Sequence, residues 1–325
     1  MRLVILYISI CLLVSCKQTK EDANDNHKTK SEIQIKKLET VVLSSGTLNR
    51  VELFPSDYVK PRHVDIWLPD HYSNDKKFNV LYMHDGQMLF DSTTTWNKQE
   101  WKVDEWASKL MKEEITKDFI VVAMHNISDI RHSDYFPNKP FQQLKVKDSI
   151  MKASKRGDNP LFKEDINSDN YLKFIVKEVK PFIDSNFSVH TDRDHTFVAG
   201  SSMGGLISMY AINEYPDVFS GAACISTHWP GVMSLKNNPI PQTFFSYIKE
   251  NTPQPGTHRF YFDFGTETLD AYYVEFEDDV NDLFNELGYD ESNFRNLKFE
   301  GTDHSENSWN QRLDIPLTFL LSKNN

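Results

Sequence analysis

Cysteine is nearly absent from this chain: there are three in 325 residues. Two of them, Cys11 and Cys16, lie in the first sixteen positions, which leaves Cys224 alone in the body of the chain. A lone cysteine cannot close an internal disulfide. Cys224 sits in the apolar run Ala222-Ala223-Cys224-Ile225 and is expected to be a buried, inert thiol. Long apolar stretches are missing too. Leu3 to Leu13 is far shorter than the roughly 20 residues a bilayer-spanning helix needs, and no other segment comes closer. Positive charge is in deficit, 36 Lys and Arg against 47 Asp and Glu for a net −11. No block of Lys or Arg is long enough for a nucleic-acid footprint, and an acidic surface disfavours anionic polymers as substrates. The spacing His-Glu-x-x-His and any Cys/His cluster are absent. His125, His132 and Asp134 are at best a loose group, so neither metal nor cofactor is expected. No internal repeat appears. What remains is ample apolar material, 39% hydrophobic and 13% aromatic residues, enough to bury one sizeable core.

The first sixteen residues read as a targeting segment. Arg2 provides a minimal positive start, Leu3 to Leu13 an apolar stretch, and Leu13-Val14-Ser15-Cys16 its end before polar Lys17-Gln18. That ending resembles the lipobox of bacterial lipoproteins. The resemblance implies a signal peptide over 1–16, lipidation at Cys16, and an exported protein anchored to a bacterial membrane. From 17 to 37 the chain is rich in Lys, Asp, Glu, Asn, Thr and Gln, and is expected to be a flexible tether. The catalytic domain is expected over 38–325.

Within it, strand-like and helix-like segments alternate. Strands are expected at 64–68, 80–84, 119–124, 196–200, 221–225, 259–264 and 296–299. Helical patterns lie at 103–115, 171–183, 206–214, 273–287 and 309–321. The alternation predicts an α/β fold, a mostly parallel central sheet with helices on both faces, whose chemistry gathers at the C-terminal strand ends. One stretch breaks the pattern. Residues 126–168 are polar and aperiodic but carry Tyr135, Phe136 and Phe141, so a cap-like insertion is expected there.

A serine hydroxyl attacks a carbonyl only when a base takes its proton. Gly200-Ser201-Ser202-Met203-Gly204 places a serine between two glycines, after a strand and before a helix, the arrangement of a nucleophile elbow. Ser202 is therefore the candidate nucleophile. In the α/β-hydrolase order the acid and then the base follow it. His304, in the loop after the last strand, is the candidate base. Glu267 and Asp270, after the preceding strand, are the candidate acids, with Asp270 the first choice. An oxyanion needs aimed donors. The backbone N–H of Met203 is expected to be one, and Gly86 or Gln87, after the strand ending at His84, the other. His84 and Asp85 are expected to fix that turn.

Three segments together resemble a known family: Tyr82-Met83-His84-Asp85-Gly86-Gln87, Ala199-Gly200-Ser201-Ser202-Met203-Gly204-Gly205, and Gly301-Thr302-Asp303-His304. They are similar to the esterases that include enterochelin esterases, esterase D, and feruloyl and acetyl-xylan esterases. Trp96-Asn97, Ser133 to Pro137 and Ser226 to Trp229 also resemble bacterial members. The resemblance spans about 64–321. It implies the α/β-hydrolase fold, a nucleophile at Ser202 and a base at His304. Some members place the acid in a Gly-x-x-Asp pattern, but position 268 here is Thr, so the acid stays open.

His228 and Trp229 follow a strand end, and Trp96 and Tyr135 fall on candidate rim loops. Aromatic platforms of this kind suit sugar rings or aryl groups. The expected substrate is a small-molecule or oligosaccharide ester, acylated carbohydrate first and a siderophore trilactone as the alternative. The non-enzymatic alternative is a binding lipoprotein on a hydrolase scaffold.

Overall fold

A strand covered on both faces needs an unbroken apolar run, and this chain has several. The computed structural model describes residues 33–233 and 236–324. The expected signal segment, the Cys16 lipidation site and most of the expected tether lie outside the described residues. The strands are β1 (Ile35–Lys37), β2 (Thr47–Phe54), β3 (Arg62–Leu68), β4 (Asn79–His84), β5 (Phe119–Met124), β6 (Lys155–Arg156), β7 (Asn159–Pro160), β8 (Thr196–Ser201), β9 (Gly221–Ile225), β10 (Arg259–Gly265) and β11 (Phe294–Phe299). All but the hairpin β6–β7 form one sheet in the order β1-β2-β3-β5-β4-β8-β9-β10-β11. The six strands from β5 to β11 run parallel. β1, β2 and β3 add an antiparallel edge. β4, β5, β8 and β9 are buried at every position, as the apolar runs require. β1 pairs Ile35 to Lys37 with Val51 to Asn49, so the last three residues of the expected tether belong to the sheet.

The pleat divides the core in two. Val80, Tyr82, Val198 and Phe262 face one layer, while Leu81, Met83, Phe197 and Tyr261 face the other. The first layer is covered by α5 (Ser168–Lys173), which continues through a π-helical stretch into α6 (Lys180–Asn186), and by α7 (Met203–Glu214), α8 (Ile240–Asn251) and α9 (Glu277–Glu286). The second is covered by α1 (Val103–Lys112) and α11 (Asp314–Leu321). Each fully buried Leu, Ile or Phe contributes about 1.5–3 kcal/mol. α7 is buried over its first eleven residues, so it carries no amphipathic stripe.

The stretch 126–168 is ordered as α2 (Arg131–Tyr135), α3 (Asn138–Gln142), α4 (Lys147–Ala153) and the β6–β7 hairpin. It is anchored by Tyr135, Phe136, Phe141 and Phe162, all in the first core layer. The helix expected over 273–287 is the 3-10 turn Val274–Phe276 followed by α9. That over 309–321 is split into α10 (Glu306–Asn310) and α11, with Ser305 capping α10 by accepting from the Ser308 N–H. Among the described residues, no helix is long and apolar enough to cross a membrane.

Candidate active site

The parallel strands β4, β8, β9, β10 and β11 all end on one side, and their C-terminal loops enclose a cavity of about 730 Å³. β8 ends at Ser201 and α7 begins at Met203, which leaves Ser202 at the corner with φ 58° and ψ −118°. A non-glycine residue held at positive φ costs on the order of 1–3 kcal/mol, so the surroundings must impose it. They do so by close packing. A Cβ on Gly200 would lie 2.7 Å from the Gly204 carbonyl oxygen, and one on Gly205 2.8 Å from Thr227 Oγ1. The Ser202 N–H donates to Ile225 O at 2.9 Å, and the His228 N–H donates to Ser202 O at 3.2 Å. The side chain is thereby turned out of the sheet into the cavity, which Ser202 lines together with His304.

His304 Nδ1 donates to Asp270 Oδ1 at 2.5 Å. Asp270 is fully buried, and its other oxygen accepts from the Gly265 N–H and Ser226 Oγ, each at 2.6 Å. Glu267 is exposed at the start of the 3-10 turn Thr268–Tyr272, and that turn carries Asp270 inward to the imidazole. The two candidate acids are thus separated by geometry: Asp270 meets His304, and Glu267 faces solvent. The displacement from a Gly-x-x-Asp spacing is accommodated by Thr268, whose φ is 54° and whose Oγ1 accepts from the His304 N–H at 2.9 Å.

Behind the carboxylate lies a second buried layer that the sequence did not announce. Ser226 Oγ accepts from Trp309 Nε1 at 2.9 Å and from Arg312 Nη2 at 3.0 Å. Arg312 also grips Asp263 through Nε at 3.2 Å and Nη2 at 3.0 Å, and Tyr261 donates to the same carboxylate at 2.9 Å. Trp309 stands edge-on to the His304 ring at 5.0 Å. Neither Arg312 nor Asp263 sits in a motif.

At the end of β4, Asp85 adopts a left-handed conformation with φ 59° and opens the 3-10 turn Gly86–Met88. Arg131 donates to it through Nε at 2.7 Å and Nη2 at 2.6 Å, and Asn126 Nδ2 at 2.7 Å. Burial alone would raise the Asp85 pKa, but Arg131 and Asn126 outweigh it and hold the carboxyl below its ordinary value. His84 beneath is fully buried, and burial pulls it down to about 3, so it stays neutral. Its Nδ1 pairs with the Tyr171 hydroxyl at 2.9 Å. These two residues fix the turn, as expected. Gln87 and Met203 line the cavity, and Met203 opens α7, where a helix leaves its N–H groups without internal acceptors. Gly86 does not line it: a Cβ there would lie 2.7 Å from the Ala123 carbonyl oxygen, so its role is close packing under the turn.

The aromatic residues divide. Trp96 is 82% exposed at the cavity rim. His228 also lines the cavity and is buried. Tyr135 and Trp229 turn inward, contrary to expectation. Tyr135 is fully buried with its ring 5.0 Å from Tyr171, and Trp229 packs on Phe245 and Phe262 at 5.2 and 5.5 Å. Both join the first core layer. One residue absent from the expectations stands beside Ser202. The Tyr273 hydroxyl, whose ionised form the neighbouring Ser202 side chain favours, lies 2.7 Å from His228 Nδ1.

His125, His132 and Asp134 do not converge. His125 pairs with Asp65, His132 with Gly231 O, and Asp134 with Arg62. Elsewhere, His190, Asp192 and His195 each bring a ligand atom within 4.8 Å of the others, just before β8 and at the opposite end of that strand from Ser202. Cys224 is buried and free, and burial lifts its thiol well above the ordinary value.

The sheet order, the elbow at Ser202 and the loops converging on one cavity define an α/β-hydrolase. The family model described as "Putative esterase" matches residues 58–319, and the chain belongs to that family of carboxylic-ester hydrolases. The chain is 22% identical over 271 residues to Bacillus subtilis (strain 168) YbbA, described as an uncharacterized protein, covering 81% of this chain and 94% of YbbA. Among solved structures it is similar to an IroE-like serine hydrolase from Shewanella oneidensis, with TM-score 0.60, 18% identity and coverage of 89% of this chain and 80% of that one. It is also similar to the feruloyl esterase module from Clostridium thermocellum complexed with sinapinate, with TM-score 0.57, 17% identity and coverage of 88% and 93%.

Proposed function

We propose that the protein hydrolyses carboxylic esters through an acyl-enzyme on Ser202, and that acylated carbohydrate is its substrate class. The observation that carries the mechanism is the 2.5 Å Asp270–His304 pair opening into the same cavity as the Ser202 elbow. Ser202 Oγ attacks the ester carbonyl while His304 Nε2 takes its proton. Asp270 holds Nδ1–H, which fixes the tautomer and steadies the imidazolium. The developing oxyanion is bound by the backbone N–H groups of Met203 and Gln87. His304 then returns the proton to the departing alcohol oxygen, and water repeats the sequence on the acyl-enzyme.

The substrate reading is supported by the size of the cavity, far larger than an acetyl group needs. Trp96 on the rim offers a face for a sugar or aryl ring. A second cavity of about 280 Å³ shares Arg131, His132 and Arg156 with the first, so the cleft extends along the insertion. A siderophore trilactone is the second reading, favoured by the same open cleft. We further propose that the protein is exported and lipid-anchored at Cys16, on the strength of Leu13-Val14-Ser15-Cys16; a Cys16→Ala chain that still partitions with membranes refutes this.

The test is hydrolysis of p-nitrophenyl acetate by the purified protein and its Ser202→Ala variant. Activity lost in the variant supports the mechanism, and full activity retained refutes it. A wild-type protein that hydrolyses nothing yet binds acylated oligosaccharides returns the binding-lipoprotein reading. Acetyl-sugar, feruloyl-sugar and trilactone esters compared by kcat/KM then separate the substrate classes.

A further inference from the structure

The Asp270–His304 pair leaves a buried histidine of the site unexplained. His228 is 2% exposed, lines the cavity, and its Nε2 has no protein hydrogen-bond partner. Such an atom costs free energy unless something in the cavity bonds it. Its other nitrogen, Nδ1, is 2.7 Å from the hydroxyl of Tyr273, which is 1% exposed and whose ionised form the neighbouring Ser202 side chain favours. The backbone ties the same residues together: the His228 N–H donates to Ser202 O, and the Tyr273 N–H donates to Asp270 O at 2.8 Å. The Tyr273 ring is edge-on to both His228 and His304, at 5.8 and 5.9 Å. The Tyr273 hydroxyl thus stands between the nucleophile and a buried imidazole that faces the substrate.

The protons fall in one order. Burial keeps Tyr273 a phenol and His228 a neutral imidazole, so each has one proton to place. We propose that Ser202, Tyr273 and His228 form a second hydrogen-bond relay, in which Ser202 O–H donates to Tyr273, Tyr273 O–H donates to His228 Nδ1, and His228 Nε2–H is thereby presented to an oxygen of the bound ester. Tyr273 is then a positioning residue for His228 and the resting partner of the nucleophile. His228 is a substrate-contacting donor whose tautomer is set by Tyr273. No proton is lost or gained in this arrangement. When the ester enters, Ser202 O–H turns to His304 and the Tyr273–His228 bond persists.

This proposal rests on Ser202 being the nucleophile, and that premise is measured separately: a fluorophosphonate probe must label the wild type and not Ser202→Ala. The decisive set is Tyr273→Phe, His228→Ala, His228→Gln and the Tyr273→Phe/His228→Ala double variant, assayed on an acetylated xylo-oligosaccharide. His228→Ala should lower kcat/KM about 10- to 100-fold, chiefly through KM, the span of one buried hydrogen bond left unmade. His228→Gln should restore most of it, because its amide N–H can reach the position of Nε2. Tyr273→Phe should show an effect that the double variant does not deepen, since the two act as one unit. Fluorophosphonate labelling should survive in all four. Additive losses, or kcat/KM unchanged in Tyr273→Phe and His228→Ala, overturn the relay while leaving the nucleophile in place. Long-range 1H–15N spectra of 15N-His protein give a readout that packing alone does not move. The His228 ring should be the Nε2–H tautomer in the wild type and a mixture in Tyr273→Phe, and an Nδ1–H wild type refutes the proposal.

Discussion

The two walls of the cavity differ in what they expose. Its inner wall, from β9, β10, β11 and α10, buries charge: Asp270, Asp263 and Arg312 are at most 3% exposed and are joined through Ser226. The outer wall, from the insertion and the loop after β4, also buries charge, Asp85 with Arg131 and Asp134 with Arg62, but it leaves Trp96 and Arg156 on the surface. A buried carboxylate is tolerable only when each oxygen has a donor, so the inner wall cannot yield in one place without failing in others. The outer wall bears no such constraint on its exposed residues. Reaction geometry is therefore set before substrate arrives, and substrate choice is left to side chains that can change cheaply.

The largest way to break this contrast is at the acid. Asp270→Asn is expected to lower kcat on p-nitrophenyl acetate by about 10³–10⁴, because the amide favours the wrong imidazole tautomer. Glu267→Ala is expected to stay within about twofold, having no bond to His304 to lose. Similar losses in both would erase the geometric distinction between the candidate acids.

Next comes stability. Arg312→Met leaves Asp263 buried without its cation, and urea unfolding should show a loss of about 3–5 kcal/mol. Lys163→Met on the outer wall removes a solvent-exposed pair with Asp129 and should cost under about 1 kcal/mol. Equal losses would mean the two walls are not built differently.

How much of this was legible follows from what periodicity and motifs can record. The parallel strands were readable because they are continuous apolar runs, and Ser202 and His304 because the elbow and the final loop have fixed places in this topology. β2, with Asn49, Arg50 and Glu52 on an edge, and α8, with aromatics behind Pro241, carry weaker patterns and were not foreseen. The choice between Asp270 and Glu267 depended on a 3-10 turn that no spacing rule specifies. For Tyr135 and Trp229 the sequence shows that a loop is aromatic, not which way its rings face. Arg312, Asp263 and Tyr273 meet the site through side chains from different elements, and such meetings leave no trace in one dimension.

Protonation tests the outer wall in its own way, because both His84 and His132 are held there as neutral imidazoles. Burial lowers both His84, under the β4 turn, and His132, in α2, from 6.5 to about 3. Between those values the unfolded chain binds protons that the native state refuses, so stability is fully present above about pH 6.5 and falls as pH drops toward 3. Each histidine adds about 1.4 kcal/mol per pH unit to that slope. His132→Gln, able to donate to Gly231 O as His132 does, should flatten the slope of unfolding free energy between pH 6 and 4 by about that amount. An unchanged slope would mean His132 is protonated in the native state.

The smallest expected effect tests the outer wall alone. Trp96 is 82% exposed, so truncating it removes little buried area and should leave the melting temperature within about 1 °C. What it does remove is a ring face at the mouth of the cavity. Stacking of that kind contributes about 0.5–1.5 kcal/mol, so Trp96→Ala should raise KM about 2- to 10-fold for a feruloyl- or acetyl-sugar ester. The KM for the smaller p-nitrophenyl acetate should move less. A kcat that falls while both KM values stay fixed would place Trp96 among the groups that set the reaction geometry, and the division between the two walls would then be drawn in the wrong place.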